Sequence, residues 1–454
     1  MKVSRLLIVA GVLCWLFAPA ATAAEGRTSA SAAHTLRIHP DYPHYFQSPT
    51  SQPLLLIGDY TWGTFSDVDF DYQAQFDALK AGGLNFARVW LWWGCEQFPP
   101  PDDKPHFEPF ARPGPGNAND RRPKYDLSQS NPAFFDRLRA FCKEARERRL
   151  YLQLITVDAW MLKHAHLWKL HAFHRDNNIN GVDGDPRNTG TGTDGEQGFC
   201  SLGNPKALEF QKAYLRKLVE TVNEFDHLLI EIANENYYSA QWERRLCEFI
   251  RECERAKPRQ HVLMPLDLLS HSSVVQKWDP KIIHAALLEK RALRQPLIFD
   301  TDWIINNNDD EVRRAMWTAV LSGAHFNYMD DSLEFRAQPV ADKRAPLHRQ
   351  ISHLAAFMKP LKPWEMQPDD ALVKAGHAFA LASTNELAAY LPAGGTVTLD
   401  SKTLAAALTA RWFNPREGKF SEPFAAPGGQ PMEFQAPDAN DWALLLRRAD
   451  TKPR

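Results

Sequence analysis

The stretch His227–Tyr238, HLLIEIANENYY, decides the fold. Its segment Leu228–Ala233 is a run of apolar residues broken only by Glu231, too short for a helix and flanked by polar residues. Such a run is typical of a strand that is buried on both faces, as in a parallel sheet. Asn234 and Glu235 would then lie at the carboxyl end of the strand, where α/β proteins bind their ligands. The pair could instead cap the next helix, since Asn favours the N-cap position and Glu the first turn.

Seven further runs of this kind alternate with helical patterns along most of the chain. The eight predicted strands are Leu54–Gly58, Phe86–Trp92, Tyr151–Val157, Leu228–Ala233, Val262–Leu266, Ile282–Ala286, Leu297–Phe299 and Ala324–Tyr328. The predicted helices are Asp71–Ala81, Pro132–Arg149, Pro205–Glu224, Ala240–Ala256 and Asp309–Ser322. Eight strands alternating with helices predict a closed (β/α)8 TIM barrel of the α/β class rather than an open sheet.

The two ends of the chain predict an export signal and a second domain. Lys2 and Arg5 precede the apolar run Leu6–Phe17, and small residues allow cleavage near Ala23 or Ala24. Because the run is too short for a membrane span, we expect residues 1–24 to be removed and the protein to reach the periplasm or the outside of the cell.

Beyond a boundary in the segment Lys359–Asp370, helical periodicity gives way to short alternating runs bounded by turn residues. These runs are His377–Ala382, Leu387–Leu391, Thr396–Leu399, Leu408–Phe413, Met432–Phe434 and Trp442–Arg447. The pattern predicts a small antiparallel β-sandwich over residues 370–450, after a barrel domain over residues 25–365.

Composition and the missing motifs narrow the function. A formal net charge of −2 gives no basis for nucleic-acid binding. The sequence has no Gly-rich phosphate loop, no serine nucleophile elbow and no dinucleotide fingerprint, so it predicts no cofactor and does not favour a kinase, an esterase or a dehydrogenase. The 14 Trp and 26 Phe favour a carbohydrate ligand, since aromatic faces stack on sugar rings, although core packing uses most aromatic residues. We expect a monomer.

Four histidines follow the third predicted strand, at positions His164, His166, His171 and His174. Their spacings could suggest metal ligands. Since no cysteine or carboxylate pattern accompanies them, they are more typical of a cleft lining or a helix surface, and we predict no metal site.

The predicted strand ends bring acidic and tryptophan side chains to one pit. Besides Asn234 and Glu235, the candidates are Asp59, Trp62, Trp92, Trp93, Asp158, Trp160, Asp300, Asp302, Trp303 and Asp330. Glycoside hydrolysis needs two carboxyl groups on opposite sides of the scissile bond, one protonated and one ionised. Like charges in a partly desolvated pit raise some pKa values, which keeps one carboxyl group protonated. Each Asp alone could simply cap a loop or helix, but the set predicts an oligo- or polysaccharide substrate.

The sequence also resembles a known family. FARVWLWW, which contains Arg88, and IEIANEN resemble the second and fourth strands of the cellulase-like clan of retaining glycoside hydrolases. IGDYTW and WFNPREGKF resemble segments of exported apiosidase-like enzymes that carry a C-terminal domain named for collagen binding. The resemblance implies that Glu235 is the acid/base, that Asn234 binds the 2-hydroxyl of the sugar and that Arg88 supports the nucleophile. The name of the C-terminal domain does not by itself indicate its role, and a stabilising cap on the barrel is an alternative.

The sequence departs from the clan at the nucleophile. The clan places a Glu near the end of the seventh strand, and in PLIFDTDW that position is Thr301, between Asp300 and Asp302. Side chains alternate along a strand, so only one parity faces the pit unless a bulge re-aims a residue. We expect Asp302 to be the nucleophile, with Asp300 as the alternative.

Three outcomes therefore remain open for the predicted barrel. Carboxyl groups about 5 Å apart would favour a retaining enzyme, and roughly 6.5–9.5 Å an inverting one. Loss of the second carboxylate would leave a barrel that binds carbohydrate or matrix without cleaving it.

Overall fold

The computed structural model describes residues 35–91, 93, 107–236, 238–264, 269–271, 279–301, 309–330, 345–402, 404 and 407–449. The side chains of Asp158 and of residues 269–271 lie outside this description. The predicted export signal also lies outside the described residues.

Three short strands precede a series of eight parallel strands and their connections. In chain order the strands are β1 (Arg37–Ile38), β2 (Phe46–Gln47), β3 (Pro53–Leu54), β4 (Ile57–Thr61), β5 (Phe86–Trp90), β6 (Phe110–Ala111), β7 (Asp126–Ser130), β8 (Tyr151–Asp158), β9 (Leu228–Asn234), β10 (Val262–Met264), β11 (Leu269–His271), β12 (Ile298–Asp300) and β13 (His325–Asp330). Strands β1 to β3 form an antiparallel sheet, and β6 pairs with β7 in the connection after β5.

The remaining eight strands form one parallel sheet that has the cyclic strand order of a barrel. They lie in the order β10, β9, β8, β5, β4, β13, β12, β11, so that the last strand of the series pairs with the first. Every ladder among them is parallel. Among the described residues only the seam between β10 and β11 has no ladder. The predicted TIM barrel is confirmed.

Eight helices accompany the barrel strands in the described residues. They are α1 (Tyr72–Ala81), α2 (Pro132–Glu147), α3 (Ala165–Trp168), α4 (Pro205–Val222), α5 (Ala240–Glu254), α6 (Pro280–Arg291), α7 (Asp309–Leu321) and α8 (Ala345–Met358). Several begin at a side chain that accepts a hydrogen bond from an amide of the first turn, which satisfies a donor that has no partner inside the helix. These capping residues are Asp71, Asn131, Asn204, Ser239 and Asp279. No helix in the described part of the chain combines the length and the apolar character that a bilayer crossing requires.

The sixth predicted strand is wrong, because residues 282–286 belong to α6 and the sixth barrel strand is β11. Asp279 caps this helix and Pro280 occupies its first position, which is a typical helix start. Ile283 and Leu287, four residues apart, are buried on one face. The apolar pair Ile282-Ile283 resembles a strand in sequence, but Ile282 is exposed on the outer side of the helix.

The barrel interior has an apolar layer and a polar layer. Phe86, Leu229 and Ile298 belong to one buried apolar cluster. Two residues further along the same strands, on the same face, lie Arg88, Glu231 and Asp300. Together with neighbouring side chains they form a polar layer nearer the carboxyl ends of the strands, which consists of Tyr60, Arg88, Gln153, Glu231, Asp300 and Asn327.

The C-terminal residues form two antiparallel sheets. The strands are β14 (Gln367–Pro368), β15 (Val373–Ala375), β16 (Phe379–Ala382), β17 (Glu386–Leu391), β18 (Thr396–Asp400), β19 (Leu408–Asn414), β20 (Lys419–Phe420), β21 (Phe424–Ala426), β22 (Pro431–Gln435) and β23 (Trp442–Arg448). One sheet has the order β14, β16, β17, β23, β19, β20, with β21 on β19, and the other has the order β15, β18, β22. All six predicted strands of this region are present, and the predicted β-sandwich is confirmed.

The larger sheet of the sandwich has two apolar faces. In β23, Leu444 and Leu446 belong to the core between the two sheets, whereas Ala443 and Leu445 belong to the core of the barrel. Because side chains alternate along a strand, this sheet packs against the smaller sheet with one face and against the barrel with the other.

Candidate active site

Strand β9 ends at the residues that were predicted to be functional. Asn234 is its last residue, and Glu235 follows with a backbone φ of 50°. That left-handed conformation costs a non-glycine residue about 1–3 kcal/mol and persists only where its surroundings hold it. Both side chains are buried. The helix that follows, α5, is capped by Ser239, which accepts from the Trp242 amide at 3.2 Å, so Asn234 and Glu235 are not its caps.

Arg88 connects strand β5 to β9 through three hydrogen bonds. Its Nε donates to Glu231 Oε2 at 2.8 Å and its Nη2 to Glu231 Oε1 at 2.6 Å, a bidentate pair. Nη2 also donates to Asn234 Oδ1 at 2.7 Å. Both charged side chains are almost fully buried, and charges in that position require such pairing. Arg88 therefore fixes the orientation of the Asn234 amide beside Glu235.

Asp300, at the end of β12, lies on the other side of Arg88. Tyr60 donates its hydroxyl to Asp300 Oδ1 at 3.1 Å and accepts from Arg88 Nη1 at the same distance. Arg88 Nη1 also lies 3.6 Å from Asp300 Oδ2. Burial raises the pKa of Asp300 to about 6, and the nearby Glu231 adds to this, against the opposing effects of Arg88 and Tyr60. The carboxyl group therefore titrates in the mildly acidic range.

The alternation of side chains along β12 distinguishes Asp300 from Thr301. Asp300 faces the polar layer, whereas Thr301, in the clan's nucleophile position, accepts from the Met329 amide at 2.9 Å through Oγ1. Asp302 lies outside the described residues.

The Asn234 amide has an unused donor. Its Nδ2 is buried and has no hydrogen-bond partner among the described residues. Leaving a buried donor unsatisfied costs roughly 1–3 kcal/mol, and such a group in a native structure calls for an explanation. A hydroxyl group of a ligand would supply the missing acceptor.

Lys163 contacts Glu235. Lys163 is the last residue of a short 3-10 helix, Met161–Lys163, that follows β8. Its Nζ donates a hydrogen bond to Glu235 Oε2 at 2.8 Å. Trp160 lies beside it, with the ring centroid 5.5 Å from Lys163 Nζ and 4.2 Å from the His164 ring centroid. Burial lowers the pKa of His164, so its imidazole is neutral near pH 7.

Five of these residues were missed by the sequence interpretation: Tyr60, Gln153, Lys163, Glu231 and Asn327. The sequence did contain a signal for Glu231, because a charged residue inside a buried strand needs a partner of opposite charge. Arg88, inside another predicted buried strand, is such a partner. Gln153 completes the pairing by donating Nε2 to Glu231 Oε2 at 2.7 Å. Lys163 carried no signal, because it lies in a long connection without periodicity.

Two predicted acidic residues do not join the polar layer. Asp59 faces the outer helices, where its Oδ2 lies 2.7 Å from His348 Nδ1 of α8, while the adjacent Tyr60 faces inward. The alternation of β13 places Asp330 on the face opposite Asn327. The contact with His348 corrects the prediction that Asp59 lines the pit, and for Asp330 the pit lining stays a prediction.

The predicted tryptophans divide between core and site. Trp93 is 1% exposed and packs against Tyr214 at a centroid distance of 4.4 Å, so it belongs to the core and offers no face to a sugar. Trp62 is also buried and contacts Met329 sulfur at 2.7 Å. Trp160, half-buried beside Lys163, lies in the site. Trp92 and Trp303 lie outside the described residues, and of Asp158 only the backbone is described, opposite Asn234 in the β8–β9 ladder.

The four histidines do not form one cluster. His171 is buried between Trp168 and Trp93, and burial lowers its pKa to about 3. His164 lies instead against Trp160. Among the residues that the structure describes, no three potential ligands converge on a metal site.

The chain has the fold of several solved glycoside hydrolases. A family 5 glycoside hydrolase from Bacteroides vulgatus superimposes with a TM-score of 0.65 at 15% identity, covering 92% of this chain and 95% of that one. A structure described as a glycoside hydrolase gives 0.65 at 14% identity, with 93% and 98% covered. A further one from Bacteroides vulgatus, described as a putative glycoside hydrolase, gives 0.66 at 12% identity, with 92% and 83% covered. The resemblance to the clan is confirmed at the level of the fold.

Two sequence families match parts of the chain. A domain of unknown function, DUF6298, matches residues 102–272, a segment that includes β9 with Glu231, Asn234 and Glu235. A family described as "Putative collagen-binding domain of a collagenase" matches residues 368–447, the region of the two C-terminal sheets. No protein among curated sequences matches this chain.

Proposed function

We propose that the protein is an exported glycoside hydrolase that cleaves O-glycosidic bonds of a polysaccharide or of its side chains. The observation that carries the proposal is the arrangement at the carboxyl end of β9. Glu235 stands beside an Asn234 amide that Arg88 orients and whose Nδ2 has no hydrogen-bond partner among the described residues, and the same arginine contacts Asp300, one of the two candidates for the second carboxyl group.

In the proposed reaction, Glu235 donates a proton to the glycosidic oxygen as the bond to the sugar breaks. Asn234 donates Nδ2 to a hydroxyl of the same sugar, which places the scissile bond near Glu235. Such proton transfer contributes roughly 10²–10⁴-fold to the rate when the donor is well placed.

The second carboxyl group comes from the end of β12, either Asp302 or Asp300. Asp302 comes two positions after the last residue of β12 in the sequence, and it remains our first candidate. Two facts favour Asp300: it faces the polar layer, and Arg88 and Tyr60 contact it. A direct attack by this carboxylate would give a retaining enzyme, and activation of water would give an inverting one.

One observation favours a different function, a barrel that binds carbohydrate or matrix without cleaving it. Asp300 is only 2% exposed, and both of its oxygens have partners, so it is poorly placed to attack a sugar. If Asp302 does not reach the substrate either, the site retains a sugar-binding amide and one acidic group without a nucleophile.

The test is hydrolysis of a panel of polysaccharides and aryl glycosides by the purified protein and by Glu235→Gln, Asp300→Asn and Asp302→Asn. We expect the Glu235 variant and one Asp variant to lose at least about 10²-fold in kcat/KM, since each removes a group required in the transition state. Glu248→Gln, an exposed change on α5, serves as the control.

The outcomes separate the two functions. The anomer first released, measured by NMR, distinguishes retention from inversion. A wild-type protein that binds oligosaccharides but hydrolyses none of the panel would contradict the enzyme and support the binding barrel.

A further inference from the structure

Lys163 contacts the carboxyl group to which the proposed function assigns the proton transfer. Its Nζ lies 2.8 Å from Glu235 Oε2, and among the described residues it is the side chain that hydrogen bonds to Glu235. The lysine side chain is 36% exposed and the glutamate 8%, so the lysine is the partner on the open side of the pair.

The regular strand ends before Glu235, which leaves the direction of its side chain to contacts outside the sheet. Glu235 lies one residue beyond the β9 ladder in a left-handed conformation, so the sheet does not fix the direction of its side chain. Lys163 is itself held, since the Trp160 ring lies 5.5 Å from its Nζ and the short 3-10 helix sets its backbone. The pair therefore links the connection after β8 to the end of β9.

We propose that Lys163 is a positioning residue, which fixes the Glu235 carboxyl group through Oε2 and leaves Oε1 to exchange a proton with the substrate. This inference rests on the proposed function. The proton moves from Oε1 to the glycosidic oxygen while the bond between that oxygen and the anomeric carbon breaks, and the anomeric carbon forms its new bond to the second carboxylate or to the oxygen of an activated water. Throughout this step Lys163 keeps its own protons and donates a hydrogen bond to Oε2. A proton donor must lie within about 2.6–3.2 Å of its acceptor, so a carboxyl group that rotates freely would be a poor one.

The test compares two aryl glycosides of the sugar that the wild type hydrolyses, one with a phenol and one with a 2,4-dinitrophenol leaving group. Phenol needs protonation to depart and dinitrophenol does not. We expect Lys163→Met to lower kcat/KM at least about 10-fold for the phenyl glycoside and less than about threefold for the dinitrophenyl glycoside. Lys163→Arg keeps the charge and the hydrogen-bond donors, so its kcat/KM for the phenyl glycoside should lie much closer to the wild-type value. Lys169→Met, an exposed change in the same segment, should leave kcat/KM unchanged for both glycosides.

A loss of equal size on both glycosides would overturn the inference, because a general structural role does not depend on the leaving group. Wild-type inactivity, or a Glu235→Gln variant as active as the wild type, would instead contradict the proposed function.

Crystal structures decide the positioning role without any substrate. The Glu235 carboxyl group should leave its wild-type position in Lys163→Met and keep it in Lys169→Met. An unmoved carboxyl group in Lys163→Met would overturn the inference.

Discussion

Arg88 and Glu231 form the buried ion pair on which the polar layer depends. The guanidinium contacts Glu231, Asn234 and Asp300, so two carboxylates share one arginine inside the barrel. Taking such charges out of water is costly, and the bidentate geometry offsets that cost. The pair therefore contributes more to the orientation of Asn234 and Asp300 than to net stability.

We predict that Arg88→Met lowers the free energy of unfolding by roughly 3–5 kcal/mol, because it removes the cation that compensates the buried charge of Glu231. The double variant Arg88→Met/Glu231→Leu should be more stable than the single one, since it removes both charges. Denaturant unfolding measures both.

Arg139→Met serves as the control for this experiment. It breaks an exposed pair with Glu224 and should cost no more than about 1 kcal/mol. A double variant that is no more stable than Arg88→Met would contradict this account.

Single residues were the hardest to predict from the sequence. Asn234, Glu235 and Arg88 were found because they stand in motifs on periodic strands. Asp59 was misplaced because one step along a strand reverses the face, and the sequence of β4 does not mark where its pairing begins. The partner of Glu235, Lys163, comes from a connection whose path depends on the whole fold.

At the scale of elements, periodicity predicted most of the barrel. Strand β9 and helix α2 agree with their predicted bounds to within two residues. The sixth strand failed because β11 has only three residues and carries too little pattern, whereas the apolar pair in α6 resembled a strand. Helix α8 was missed because no run was assigned beyond the eighth strand.

Strand β13 carries a histidine that should make stability depend on pH. His325 is fully buried, and its Nδ1 accepts from the Leu56 amide at 2.9 Å. Burial lowers its pKa from 6.5 to about 3. The neutral form is thus favoured in the folded state, so its contribution to stability is complete above pH 6.5 and is lost as the pH falls toward 3.

We expect His325→Asn, whose side chain does not titrate in this range, to lose less stability than the wild type between pH 6.5 and pH 4. Unfolding in urea at a series of pH values gives the free energy of unfolding of each protein. The contributions of the other titrating groups cancel in the difference between the two proteins. Parallel curves for the two proteins would contradict the assigned pKa.

At the scale of the whole molecule, the sandwich is joined to the barrel by an apolar and ionic interface. Trp317 of α7 stacks on Tyr390 of β17 with centroids 5.5 Å apart. Beside them Arg313 of α7 donates to the buried carboxylate of Asp441 at 2.9 Å. The larger sheet is therefore covered on both faces, which fits the alternative that the sandwich stabilises the barrel.

The most direct test of the central claim, that Glu235 is the acid/base of a glycosidase, uses Glu235→Ala with and without sodium azide. For a retaining enzyme, the variant should lose activity on a phenyl glycoside while keeping its first step on a dinitrophenyl glycoside, since that leaving group needs no acid. Azide, entering the space of the lost carboxyl group, should then raise the rate and give a glycosyl azide of retained configuration. A Glu235→Ala variant that hydrolyses the phenyl glycoside at the wild-type rate would contradict the claim.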